Sequence, residues 1–184
     1  MAGHDSLQAA WYGPRRAPWW TWPLAGLYRA LVGLRRGLYR YGWLQTQRLP
    51  VPVVVIGNLT AGGTGKTPLT IAVVRALRER GWRPGVVSRG HGGTQRAPAL
   101  LGDDPDPAVV GDEPCLIHAN GIPVAVGRER PAAARLLLDA GCDLVVADDG
   151  LQHYALARDV EVCVIDGVRR FGNRHMLPAG PLRE

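Results

Sequence analysis

From residue 49 onward, short apolar runs alternate with longer segments of mixed polarity, and run length separates the elements. Val51-Pro-Val-Val-Val-Ile-Gly57 is β-branched, too short for a helix and bounded by Pro52 and Gly57, so it reads as a buried parallel strand. Thr67 to Arg80 reads as a helix, with Pro68 at an early position where a missing N–H costs nothing and Gly81 at its end. Pro84 to Ser88, Pro123 to Gly127, Cys142 to Asp149 and Val160 to Asp166 are further strands. Pro131 to Ala140 is a helix, and another begins at Gly111-Asp112-Glu113-Pro114. Strand and helix therefore alternate at βαβ spacing. This predicts an α/β fold with a mainly parallel sheet covered by helices on both faces.

The first 48 residues follow a different pattern. Leu24, Leu27, Tyr28, Leu31, Leu34, Leu38 and Tyr41 recur at three- and four-residue steps, while Arg29, Arg35, Arg36 and Arg40 occupy other angles. That spacing predicts an amphipathic cationic helix preceding the sheet domain. Five of the six tryptophans and four of the five tyrosines also fall here, the composition of a membrane interface. The longest uncharged stretch, Ala17 to Tyr28, is broken by two prolines, whereas a spanning helix needs about 20 apolar residues. The segment is expected to lie in the surface of an anionic leaflet rather than cross it. The alternative is that the helix packs on the domain core. A signal peptide fits poorly, because the stretch is short, proline-broken and lacks a small-residue cleavage site. The expected organisation is thus a membrane-associating segment over 1–48 and a core over 49–184.

Charge supports this division. Residues 1–48 hold seven arginines (15, 16, 29, 35, 36, 40 and 48) and one acid, Asp5, while the remainder carries 15 basic and 15 acidic side chains. The net charge of +6 therefore belongs to the amino-terminal segment, which argues against a nucleic-acid-coating surface. Cys115, Cys142 and Cys163 match no metal-knuckle spacing and read as buried free thiols.

Lys66 is the only lysine beside 21 arginines, and it lies in Thr60-Ala61-Gly62-Gly63-Thr64-Gly65-Lys66-Thr67, between a strand and a helix. In that context glycines let backbone N–H groups surround phosphate oxygens, and the helix amino terminus adds partial positive charge. Lys66 would reach the β- and γ-phosphates of ATP, and the Thr67 hydroxyl would ligate Mg²⁺. The strict pattern G-x4-G-K-[ST] is not met, since Thr60 holds its first glycine position. A plain glycine-rich turn is the competing reading.

The Cys142-to-Asp149 strand ends in Asp148-Asp149-Gly150, where parallel strands aim at the ligand crevice. Asp148 is expected to face the Mg²⁺ held by Thr67, with Asp149 close by; a simple turn is the alternative. Asp112 is either the cap of its helix or a carboxylate that accepts a hydroxyl proton from a substrate.

Gly57-Asn-Leu-Thr-Ala-Gly-Gly-Thr-Gly-Lys-Thr-Pro68, Ser88-Arg-Gly90, Gly111-Asp-Glu-Pro114, Asp148-Asp-Gly-Leu-Gln-His153 and Leu177-Pro-Ala-Gly-Pro-Leu-Arg-Glu184 together resemble the tetraacyldisaccharide 4'-kinase (lipid A 4'-kinase) family. The Asp-Asp-Gly-Leu-Gln-His run and the Gly-Asn-x-Thr prefix are more specific than a generic phosphate loop, and the prefix accounts for Thr60. The resemblance implies a P-loop NTPase-like kinase that transfers the ATP γ-phosphate to the 4'-hydroxyl of a tetraacylated disaccharide 1-phosphate at the cytoplasmic face of the inner membrane. It further implies that Thr60 to Thr67 bind ATP, that Asp112 is catalytic together with Lys66 and Asp149, and that Arg89, Gln152 and His153 line the substrate side. Family members usually carry tyrosine where this chain has His91, and continue beyond the final motif into a second lobe with an assisting histidine. His4, His118 and His175 do not match that histidine and read as solvated or structural. No obligate protein partner is inferred. The alternatives are a partner-regulated ATPase switch and a nucleotide-binding fragment without transfer activity.

Overall fold

The computed structural model describes residues 8–14 and 17–184. His4, Asp5, Arg15 and Arg16, which belong to the expectations for the amino-terminal segment, lie outside the described residues. The chain clusters into two compact units, one of residues 1–44, 58–64 and 164–184, the other of residues 45–57 and 65–163.

The second unit carries the sheet. Its strands are β1 (Val53–Gly57), β2 (Pro84–Ser88), β3 (Ala99–Leu100), β4 (Val124–Val126), β5 (Leu144–Asp148) and β6 (Val160–Cys163), in the spatial order β3-β4-β2-β5-β1-β6. All pairings are parallel except β3 with β4. The β-branched runs are where burial is deepest: Val53, Val55, Ile56, Val86, Val87, Val124, Val145 and Val146 are at most 1% exposed. Strands buried on both faces have no alternation to show, which is why continuous apolar runs marked them.

Four helices belong to this unit: α2 (Lys66–Glu79), α3 (Pro107–Val110), α4 (Asp112–His118) and α5 (Arg130–Asp139). Right-handed crossovers fix their sides. The steps β1–α2–β2 and β2–α4–β4 run in one direction across the sheet, and β4–α5–β5 runs back, so α5 covers the opposite face from α2 and α4. The expected doubly covered parallel sheet is thereby found. The antiparallel edge strand β3 was not anticipated.

Asp112 does not cap its helix, contrary to one of its two expected roles. Gly111, with φ +95°, occupies the cap position, and its N–H completes the preceding turn on the Pro107 carbonyl at 2.8 Å. Asp106 is the capping aspartate, accepting from the Ala108 N–H at 2.8 Å at the start of α3. Of the cysteines, only Cys142 is buried. Cys115 is half-buried and Cys163, on the edge strand β6, is exposed.

In the first unit, residues 8–12 are helical and α1 spans Thr21–Arg40, starting three residues before the apolar repeat. Thr21 Oγ1 donates to the Pro18 carbonyl at 2.6 Å and sets that start. Only Thr21 and Ala25 of α1 are buried; Leu24, Leu27, Leu31 and Leu34 are 48–62% exposed, and Trp19 and Trp43 flank them at 82% and 80%. Among the described residues no helix is long and apolar enough to cross a membrane. The final motif folds back within this unit: Trp11 Nε1 donates to the Pro178 carbonyl at 2.9 Å, and Tyr28 Oη donates to the Arg183 carbonyl at 3.0 Å.

Candidate active site

The phosphate loop connects β1 to α2. Its first part, in the first unit, is stitched by Asn58, whose Nδ2 donates to the Thr60 carbonyl at 2.8 Å and to the Gly62 carbonyl at 3.4 Å. The final motif braces the same stretch: the Ala61 N–H donates to the Pro181 carbonyl at 2.8 Å and the Arg183 N–H to the Leu59 carbonyl at 2.7 Å, around an antiparallel bridge of Thr60 with Leu182. Thr60 thus fills a β-bridge position, which accounts structurally for the missing first glycine. Thr64 Oγ1 is buried without a hydrogen-bond partner.

The second unit holds the rest. Gly65 takes φ +75°, the left-handed conformation that redirects the chain into α2, and Lys66 and Thr67 follow as its first two residues, both buried. Thr67 and Thr70 share a helix face, and Thr70 Oγ1 donates to Asp148 Oδ1 at 3.0 Å. That bond places the Thr67 side of α2 toward the end of β5, where Asp148 pairs in register with Ile56 of β1.

Asp148 is 1% exposed, and its Oδ2 has no hydrogen-bond partner. Burial pushes its carboxyl up to about 6; Thr70 and Lys66 oppose the rise, and Glu113 and Asp149 add to it. A buried carboxylate oxygen left unsatisfied costs free energy in the ligand-free state, and a cation would satisfy it. Asp149 follows with φ +48°, a left-handed conformation uncommon outside glycine, and its Oδ1 lies 3.6 Å from Lys66 Nζ. Such strain concentrates at functional sites.

Two residues to which the sequence assigns no role act on this site. Arg130, the first residue of α5, is 4% exposed with an unpartnered buried Nη1. Burial draws its guanidinium down to about 10, while Asp149 and Asp148 hold it charged. Glu113 adds its negative charge to that around Asp148. Asp112 itself is exposed in the first turn of α4.

Gln152 and His153 are half-buried in the turn after Asp149. A third unanticipated residue shapes that turn: Arg158 donates from Nη1 to the Leu151 carbonyl (3.2 Å), from Nη2 to the His153 carbonyl (2.5 Å) and from Nε to the Leu156 carbonyl (3.2 Å), and pairs with Glu161 at 2.9 Å. Hydrogen bonds from a charged donor contribute about 1.5–3 kcal/mol each, non-additively. Arg158→Ala is expected to lower unfolding stability by about 2–4 kcal/mol, read as a reduced urea midpoint. A midpoint within 0.5 M of wild type, about 1 kcal/mol at typical urea slopes, would remove Arg158 from this role. Arg89, at the end of β2, is exposed and acts electrostatically on Arg130.

A parallel sheet with a glycine loop opening a helix, and an adjacent strand ending in buried acid, defines a P-loop nucleotide-binding protein. The family model described as tetraacyldisaccharide-1-P 4'-kinase matches residues 17–184, and the chain belongs to that family. It is 55% identical over 176 residues to the tetraacyldisaccharide 4'-kinase of Stenotrophomonas maltophilia, covering 95% of this chain and 52% of the relative. To that of Nitrosococcus oceani it is 52% identical over 188 aligned positions, covering all of this chain and 56% of the relative. A crystal structure of LpxK from Aquifex aeolicus in complex with ATP superposes with a TM-score of 0.77 at 29% identity, covering 88% of this chain and 52% of that one. The chain therefore spans about half the length of these relatives.

Proposed function

We propose that this chain is the ATP-binding and Mg²⁺-binding part of a kinase that phosphorylates the 4'-hydroxyl of a tetraacyldisaccharide 1-phosphate, a lipid A precursor. The observation that carries this reading is the juxtaposition of Lys66 with Asp149 and of Thr70 with Asp148, at the end of a parallel strand beside the loop strand β1. The N–H groups of Thr60, Gly62, Gly63, Thr64 and Gly65 wrap the phosphates, Ala61 shapes the loop through its N–H on the Pro181 carbonyl, and Lys66 exchanges Asp149 for the β- and γ-phosphates when nucleotide arrives.

The unpartnered Oδ2 of Asp148 and the Thr67 hydroxyl fit Mg²⁺, which takes few protein ligands and otherwise water and phosphate oxygens. These two groups would hold the ion, which would supply positive charge to offset that of the nucleotide phosphates. Arg130 offers its buried Nη1 to the transferring group. Asp112, exposed at the start of α4, accepts the proton of the attacking hydroxyl, and Asp149 holds Lys66 in place until the nucleotide arrives. Arg89, Gln152 and His153 face the acceptor. The experiment is transfer of ³²P from ATP to the tetraacyldisaccharide 1-phosphate, with ATP affinity measured on the same preparation. ATP binding without transfer favours a nucleotide-binding portion that requires the remaining length found in its relatives.

The exposed leucines of α1, its arginines and the flanking tryptophans support peripheral attachment to the anionic cytoplasmic face of the inner membrane. The chain is expected to float with vesicles containing anionic lipid and to lose that association when Leu27, Leu31 and Leu34 become glutamate. Flotation unaffected by the triple substitution would exclude this face as the contact.

A further inference from the structure

The segment after β2 encloses a cavity of about 210 Å³ lined by Arg89, His91, Thr94, Gln95, Arg96 and Arg128, with three glycines completing the wall. No carboxylate lines it. Among the described residues none of Arg89, Arg96 and Arg128 forms an ion pair. Three guanidinium groups line one polar hollow, and an anion with several oxygens would meet paired N–H donors there.

The wall is held in place. The Thr94 N–H donates to the Ala108 carbonyl at 3.2 Å, the Gln95 N–H to the Val109 carbonyl at 2.8 Å, and Gln95 Nε2 to the Ala97 carbonyl at 3.0 Å. Gly93 packs so closely on α3 that an added Cβ would clash with the Val109 carbonyl oxygen, and a Cβ on Gly111 would clash with that of His91. The cavity rim thereby abuts the residue immediately before Asp112. On its other side, Arg89 acts on Arg130, which is itself held by Asp148 and Asp149. The hollow therefore borders the candidate active site without containing the phosphate loop.

Pockets that enclose a drug-sized ligand run about 300–1,000 Å³, so this one takes a headgroup rather than a disaccharide. We propose that the cavity bounded by Arg89, Arg96 and Arg128 is a phosphomonoester subsite that receives the 1-phosphate of the acceptor while its distant hydroxyl reacts. The choice of this phosphate over a free one rests on the kinase reading; the cationic cavity itself does not.

The test is a ³¹P NMR titration of the chain with glucosamine 1-phosphate, inorganic phosphate and, by protein signals, glucosamine. Saturable binding of glucosamine 1-phosphate, tighter than inorganic phosphate, is expected, with no binding of glucosamine. Arg96→Ala/Arg128→Ala is expected to weaken it at least about tenfold while leaving ATP affinity unchanged, the size of one lost charge-assisted contact. Both side chains are exposed, so the double variant retains the fold, checked by its urea midpoint. Arg75→Ala/Arg80→Ala, which removes one exposed charge from α2 and one from the residue that follows it, is expected to bind as wild type. Equal weakening in that control, an unchanged affinity in Arg96→Ala/Arg128→Ala, or a parallel loss of ATP affinity would each overturn the subsite. Inorganic phosphate binding as tightly as glucosamine 1-phosphate would overturn its assignment to the acceptor. A chain that binds glucosamine 1-phosphate through these arginines but belongs to an enzyme unable to phosphorylate the lipid would sink the kinase reading and leave the subsite standing.

Discussion

Lys66→Ala in the proposed kinase is expected to lower phosphoryl transfer by on the order of 10³-fold or more, the scale seen when a preorganised charge on a transferring phosphoryl group is removed. The side chain is buried at the amino terminus of α2, with the Asp149 carboxylate 3.6 Å from its ammonium. With no other lysine in the chain, no neighbouring ammonium can substitute. Arginine at 66 is not an equivalent, because its planar fork is bulkier and less able to follow the γ-phosphate through transfer. The variant leaves Asp149 half-exposed and able to solvate its charge, so the fold is expected to persist. Steady-state transfer, nucleotide affinity and the urea midpoint measured together check this. Transfer within tenfold of wild type would remove the loop from the chemistry.

The features legible in the sequence were those in which residue type and local geometry coincide. β1, β2 and β5 announced themselves because β-branched residues buried on both faces leave no polar interruption, and Asp148 stood out as the first charge after such a run. The strand β6 was read to Asp166 but ends at Cys163. Asp166 accepts the Val168 and Arg169 N–H groups, both at 2.8 Å, and so turns the chain instead of extending it. Arg130 and Arg158 were not legible at all. Both are arginines in a chain that holds 21, and what distinguishes them is burial and the carbonyls or carboxylates that meet them in space, which no spacing records. Thr60 was visible as a departure from the glycine pattern, but its cause, pairing with Leu182, is a contact between positions 122 residues apart in sequence.

Asp148→Asn in the proposed kinase is expected to abolish Mg²⁺-dependent transfer and, in the same molecule, to stabilise the metal-free fold. Burial raises the Asp148 carboxyl from 3.8 to about 6, so between those values the folded chain holds a proton that the unfolded chain has released. The fold's advantage from this group is complete below about pH 3.8 and declines as pH rises through about 6. By pH 7.5 the ionised, unpartnered carboxylate costs about 3 kcal/mol to order of magnitude. Asparagine keeps an oxygen to accept the Thr70 hydroxyl and carries no charge, so the variant escapes that cost. Its urea midpoint is expected to exceed that of wild type at pH 7.5 without metal, and the difference is expected to shrink toward pH 4.5, where the wild-type carboxyl is mostly protonated. Adding Mg²⁺ with ATP reverses the order, because a cation on Oδ2 stabilises the carboxylate and has much less to gain from an amide. An Asn variant no more stable than wild type at pH 7.5, or equally stabilised by Mg²⁺ and ATP, would mean that the buried oxygen of Asp148 is not the metal's anchor.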